Sequence, residues 1–172
     1  MIVAIDVHYR TNFAKAVSIE FQTWQDKQPT TIHEVLIEEV AEYVPGEFYK
    51  RELPCILKVL EKTPLEEIEL IIVDGYVVLS DEGKYGLGRY LYEVLKRKIP
   101  IVGVAKRSFK DNEKQVRRVL RGASKNPLYV TSIGVEVDAA AKQVQKMAGA
   151  YRIPDLLKIL DQHTKARSSI FY

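Results

Sequence analysis

Residues 68–76 read Ile68-Glu69-Leu70-Ile71-Ile72-Val73-Asp74-Gly75-Tyr76. Four successive apolar residues, three of them β-branched, run directly into an acid and a glycine. An unalternating run of this length reads as a strand covered on both faces, in the interior of a sheet. Its carboxyl end delivers Asp74 to the edge where α/β proteins place their sites. A carboxylate there is costly unless a metal ion or a basic side chain meets it. The plainer role for Asp74 is to cap the turn that follows.

Upstream of this strand, Ile2 to Ile5 form another, again ending in an acid, Asp6. Phe13 to Phe21 alternates apolar and polar residues, with Val17 and Ile19 inward, and Arg10-Thr11-Asn12 joins the two strands as a hairpin. Thr31 to Ile37 supplies a third strand, and Tyr43-Val44-Pro45-Gly46 is a turn. Pro54 fits the first position of a helix running to about Lys62, which puts Glu52 just before it. Thr63-Pro64 ends that helix. Downstream, Leu87 to Lys98 has a helical apolar face, and Pro100 to Ala105 is a buried strand ending at Lys106. The next segment carries Val116, Val119 and Leu120 at helical spacing. Leu128 to Thr131 is a short strand, and helices follow over Asp138–Ala150 and from Ile153 to about Thr164. The order predicts an α/β fold: a mixed central sheet with an antiparallel strand meander and helices on both faces. At 172 residues, a single domain over 1–172 is expected.

Composition narrows the function classes. No apolar stretch reaches the length of a membrane span. The chain opens on a strand pattern without a basic leader region, so no signal peptide is expected. The lone Cys55 sits among Leu53, Ile56 and Leu57 and reads as a buried small hydrophobe in a reducing, cytoplasmic setting. Three scattered histidines and one cysteine give no zinc spacing.

The net charge of +3 conceals an asymmetry. Lys106, Arg107, Lys110, Lys114, Arg117, Arg118, Arg121 and Lys125 face only Asp111 and Glu113, a local net of +6. Such a block is either a solvated helix face or a footprint for a polyanion. Asp6 and Asp74 share one end of the sheet if their strands are neighbours. Glu52 precedes a helix, and Asp161 extends the apolar stripe of the last helix four residues after Leu157. Inward-pointing carboxylates repel and call for a cation. With oxygen-only ligands the usual ion is Mg²⁺ or Mn²⁺. A carboxylate-held metal beside a basic strip describes phosphodiester hydrolysis of nucleic acid.

These residues, in this order, resemble the endonuclease V family, nucleases of RNase H-like fold that cleave near deaminated bases, hypoxanthine above all. Ile5-Asp6-Val7-His8-Tyr9 is similar to the opening aspartate strand. Tyr43-Val44-Pro45-Gly46 followed by Arg51-Glu52 is similar to the Tyr-x-Pro-Gly wedge and Arg-Glu pair. Val73-Asp74-Gly75 resembles the second aspartate. Gly86-Leu87, Pro100, Gly103-Val104-Ala105-Lys106, Asn126-Pro127-Leu128-Tyr129-Val130 and Tyr151-Arg152-Ile153-Pro154 complete the series over nearly the whole length. The resemblance implies that Asp6, Glu52 and Asp74 bind Mg²⁺, with Mn²⁺ able to substitute. Asp161 stands where the family has a fourth acid or a His, and Lys106 faces the scissile phosphate. Tyr43, Val44, Pro45 and Gly46 form the wedge beside an extruded base. Gly75, Arg107, Arg117, Arg118 and Arg121 join Lys106 as expected nucleic-acid contacts. The expected partner is DNA or RNA with a deaminated base, in a repair role, and a monomer is expected.

The chain departs from the family after the second aspartate. The family reads roughly Asp-Gly-x-Gly-x-x-His-Pro-Arg, whereas Val77 stands at the second glycine, Ser80 in the His region and Asp81-Glu82 at Pro-Arg. A valine crowding the base pocket predicts weaker preference for inosine. The alternatives are an RNase H-like nuclease with another substrate and a non-catalytic nucleic-acid-binding relative. Carboxylates that only cost stability argue for catalysis. An actin-like ATPase also opens with strand-Asp, but no glycine follows Asp6 to admit phosphate.

Overall fold

In the computed structural model, which describes residues 1–166, the 70–74 segment is an interior strand of a seven-stranded sheet. The strands are β1 (Ile2–Tyr9), β2 (Ala14–Phe21), β3 (Thr31–Ile37), β4 (Leu70–Asp74), β5 (Ile101–Ala105), β6 (Arg117–Val119) and β7 (Leu128–Ile133). Their order is β3-β2-β1-β4-β5-β7-β6. β1 and β2 form the expected antiparallel hairpin, whereas β1–β4 and β4–β5 pair in parallel. Four helices complete the fold: α1 (Phe48–Leu60), α2 (Leu87–Val94), α3 (Val137–Lys146) and α4 (Asp155–Lys165). The single-domain expectation ran to Tyr172; residues 167–172 lie outside the described ones.

Two apolar layers hold the sheet. On one face Cys55, Ile56, Val59 and Leu60 of α1 and Leu87 and Leu91 of α2 pack on Val3, Ile5, Ile71, Val73 and Ile101. On the other, Val144 of α3 and Leu156 and Leu160 of α4 pack on Ile2, Ala4, Ile72, Val102 and Val104. Odd and even positions of each strand thus serve opposite layers, as the two-residue period requires. None of the described helices is long and apolar enough to cross a membrane.

Several elements differ from the sequence expectations. β2 is buried along its whole length, because both faces of the sheet are covered there. Lys15 is therefore enclosed, and it pairs with Glu34 at 3.4 Å while donating to the carbonyl of Ala166. α1 begins at Phe48 rather than Pro54, so Glu52 is a helical residue. Pro54 is tolerated because it lies on the solvent side, where water can reach the carbonyl that its missing N–H leaves unpaired. α2 stops at Val94, and Lys96 and Arg97 take left-handed backbones at φ of 58° and 59°. α3 likewise stops at Lys146, short of Ala150. The basic segment is loop and strand, not helix: Arg117 to Val119 pair antiparallel with β7. The apolar spacing at 116, 119 and 120 came from a strand edge and turns, which a helical reading fits by chance.

Candidate active site

Register brings the acids together. Ile5 of β1 pairs with Val73 of β4, so Asp6 and Asp74 are the next residues of two adjacent parallel strands. Asp74 itself pairs with Val104 of β5, and Lys106 lies two residues further on. All three share the parity of Ala4, Ile72 and Val104, whose side chains face α4. Asp161 reaches the same place from α4, lining a cavity with Asp6, Asp74 and Lys106 above a floor of Ile72, Leu157 and Leu160. The Lys106 ammonium stands 4.0 Å from Asp74 Oδ1 and 3.9 Å from Asp161 Oδ1. Lys165, one turn after Asp161, is 3.0 Å from Asp161 Oδ2. Glu52 approaches from the opposite face on α1 and is 4 % exposed.

The electrostatics record the crowding. Burial, then the neighbouring Asp74 carboxylate, pushes Asp6 up to about 7, against the backbone N–H of Val7, which donates to its Oδ1 at 2.9 Å. Asp74 is raised by burial, an effect the Lys106 ammonium opposes. Glu52 is raised well above the usual carboxylate range by burial and by Asp6 and Asp74. Its Oε2 is buried without a hydrogen-bond partner. Among the described residues no group of three or more His, Cys, Asp or Glu side chains is already arranged to hold an ion. The Asp6 and Asp74 side chains share a hydrogen bond, and Asp74 and Asp161 also lie beside ammonium groups. The donor set is nonetheless oxygen-only, mutually repelling and short of one partner at Glu52, which suits a hard divalent cation.

The turn at Tyr43 to Gly46 precedes α1. Tyr43 is 57 % exposed, Val44 and Pro45 are also exposed, and Gly46 takes a φ of 80°. Gly75 follows Asp74 with a φ of 134°, and its carbonyl lies so close to Gly103 that a β-carbon there would meet it at 2.5 Å. Of the basic residues, Arg107 and Arg118 are exposed. Arg117 is held by Asp138 at 2.6 Å. Arg121 is not available to a phosphate: it is 4 % exposed, and its guanidinium donates to the carbonyls of Gln145, Met147, Gly149, Tyr151 and Arg152.

The Val77 side chain, expected to crowd a base pocket, packs away from solvent. It is fully buried in the layer beneath α2, where its Cγ2 would lie 2.8 Å from any β-carbon at Gly88. The acid at Asp81 has a structural partner: its Oδ1 accepts from the N–H groups of Glu113 and Lys114. Ser80 Oγ accepts from the N–H of Lys84. Two further residues were passed over by sequence reasoning. Arg51 lies 3.7 Å from the Tyr9 ring centroid, and Arg152 donates to the carbonyls of Lys106, Asn126 and Pro127. The sequence signal for both was membership of a matched block; neither spacing nor charge distinguishes them.

The mixed sheet gathers carboxylates and a lysine at the ends of adjacent parallel strands, the place where α/β enzymes carry their sites. The family model for endonuclease V matches residues 1–162, and the chain belongs to that family of nucleases. No curated protein matches it by sequence. Among solved structures it is similar to human endonuclease V, with 21 % identity and a TM-score of 0.74 over 95 % of this chain and 82 % of that one. The Ciona intestinalis enzyme, crystallised as a D234N variant with DNA containing an inosine followed by a ribo-adenosine, gives 16 % identity and a TM-score of 0.78 over 95 % and 83 %. The Bacillus subtilis protein gives 16 % and 0.73 over 95 % and 77 %.

Proposed function

We propose that this protein is a divalent-metal-dependent endonuclease that hydrolyses a phosphodiester near a deaminated base, inosine above all, in DNA or RNA. The observation that carries the reading is the buried, partnerless Glu52 Oε2 beside Asp6, whose pKa is pushed up to about 7 at a strand end shared with Asp74. Asp6, Glu52 and Asp74 would hold Mg²⁺ or Mn²⁺, and a cation bound there neutralises charge at phosphorus and acidifies water. Lys106, already suspended between two carboxylates, offers its ammonium to the non-bridging phosphate oxygens. Asp161 holds Lys106 in that position. The exposed Tyr43 with its stiff neighbour Pro45 supplies a face to fill the gap left by an extruded base. Arg107 and Arg118 track the backbone.

The test is single-turnover cleavage of matched oligonucleotides carrying inosine or adenosine, as DNA and as RNA, with Mg²⁺, with Mn²⁺ and with chelator. Cleavage dependent on both metal and inosine is expected. Asp74→Asn removes a carboxylate and not the fold, so it should abolish cleavage and leave binding within a few-fold. Near-full activity in that variant would sink the assignment.

A further inference from the structure

We propose that Tyr151 is a stacking platform for an unpaired nucleobase of the bound strand, on the opposite side of the sheet edge from Tyr43. The proposal rests on the nuclease reading above and adds a subsite to it. Tyr151 is 72 % exposed, more than any other large apolar or aromatic side chain among the described residues. Single exposed aromatics are common on protein surfaces. What distinguishes this one is the backbone beneath it.

The turn that presents Tyr151 is fixed by two arginines. Arg121, itself buried, donates to the Tyr151 carbonyl at 2.7 Å and to those of Met147 and Gly149. Arg152, the next residue, donates to the carbonyls of Asn126 at 3.0 Å and Pro127 at 2.9 Å, and to that of Lys106. Gly122 must be glycine for the turn to close, because a β-carbon there would meet the Ala150 carbonyl at 2.2 Å. A ring held outward on so constrained a backbone loses little entropy when it meets a ligand.

Position and charge name that ligand. Ile153, two residues on, lines the cavity with Asp6, Asp74 and Lys106, so the backbone of Tyr151 lies within about 7 Å of a residue that lines the site. The exposed Lys158 ammonium is 6.0 Å from the ring centroid, and the adjacent Arg152 donates to the main-chain carbonyl of Lys106. An aromatic face with cations beside it is the arrangement that binds single strands, the ring taking a base and the cations its phosphates. Tyr43 precedes α1, which packs on one face of the sheet, while Tyr151 precedes α4, which packs on the other. A strand crossing the acids would thus meet an aromatic on each side.

The experiment is fluorescence anisotropy of a labelled, inosine-containing single strand in chelator, with cleavage assayed separately. Tyr151→Ala should weaken binding about tenfold or more, Tyr151→Trp should bind within about threefold of wild type, and the salt slope should stay unchanged because no charge is lost. The melting temperature should not move in either variant. Wild-type affinity in Tyr151→Ala, with inosine cleavage intact in the parent, overturns the stacking subsite alone. Equal losses in both variants, with lowered melting temperatures, overturn it in favour of a structural role. A parent that neither binds nor cleaves overturns the nuclease reading and this proposal together.

Discussion

Asp6 and Asp74 occupy the same register position on adjacent parallel strands, one step beyond the Ile5–Val73 pair, with their side chains on the same face. Two carboxylates so placed cannot both ionise cheaply. The site is therefore a local cost to the fold, which the two apolar layers sustain.

That cost sets a pH dependence. Burial and Asp74 push Asp6 from an ordinary 3.8 up to about 7. Between those values the folded state binds more protons than the unfolded chain, so stability falls as pH rises from about 4 to 7. Asp6→Asn removes the charge while its amide oxygen can still accept from the Val7 N–H. In chelator the variant should be about 2–4 kcal/mol more stable than the parent at pH 8, with the difference shrinking towards pH 5. Urea unfolding at the two pH values measures it; a parent equally stable at both refutes the assignment.

Lys106 should act on rate and on acidity together. Its ammonium lowers the pKa of both Asp6 and Asp74. Lys106→Met should slow single-turnover cleavage about 10²- to 10³-fold, the usual loss when one preorganised charge is removed. The acid limb of the pH–rate profile should also move to higher pH, since both carboxyls then hold their protons longer. A slower enzyme with an unmoved acid limb would mean that Lys106 contacts only the substrate.

The basic segment divides into two kinds of arginine. Arg107 and Arg118 are exposed, whereas Arg121 is enclosed by carbonyl oxygens. Neutralising Arg107 and Arg118 should flatten the salt dependence of binding by about 0.7–0.9 in slope for each phosphate that is no longer neutralised. Arg121→Gln should instead destabilise the protein by about 3 kcal/mol or more, because several buried carbonyls lose their donor. Chemical denaturation separates the two classes, and an Arg121 variant with parental stability would return that residue to the binding surface.

What was legible in the sequence follows from local physics. Interior strands announce themselves as unalternating apolar runs, so β4 and β5 were readable with their terminal Asp74 and Lys106. Glu52 joins them only through the packing of α1 across the sheet, which no spacing encodes; the Arg51-Glu52 resemblance supplied it. Arg121 was misread because a cation in a basic run looks solvated until the carbonyls left open beyond α3 are seen around it. Lys15 has the parity of the inward Val17 and Ile19 of β2, and only the fold shows it as an internal charge paired with Glu34.

Val77 offers the sharpest separation between the two readings. At the position where the family has glycine, a valine was expected to narrow the base pocket and weaken the preference for inosine. The side chain instead fills the layer under α2, opposite Gly88, which has no β-carbon to obstruct it. Its backbone N–H donates to Thr131 Oγ1 at 2.8 Å, a bond that any residue but proline can make there. Val77→Gly therefore removes buried methyl groups and leaves a cavity while freeing the backbone of the unfolded chain. The expected loss is about 2–4 kcal/mol, or roughly 5–15 °C in melting temperature for a domain of this size. The ratio of inosine to adenosine cleavage rates, measured in single turnover below the variant's transition, should stay within about threefold of the parent's. A tenfold rise in that ratio, about 1.4 kcal/mol of discrimination, would show that Val77 bears on the base after all.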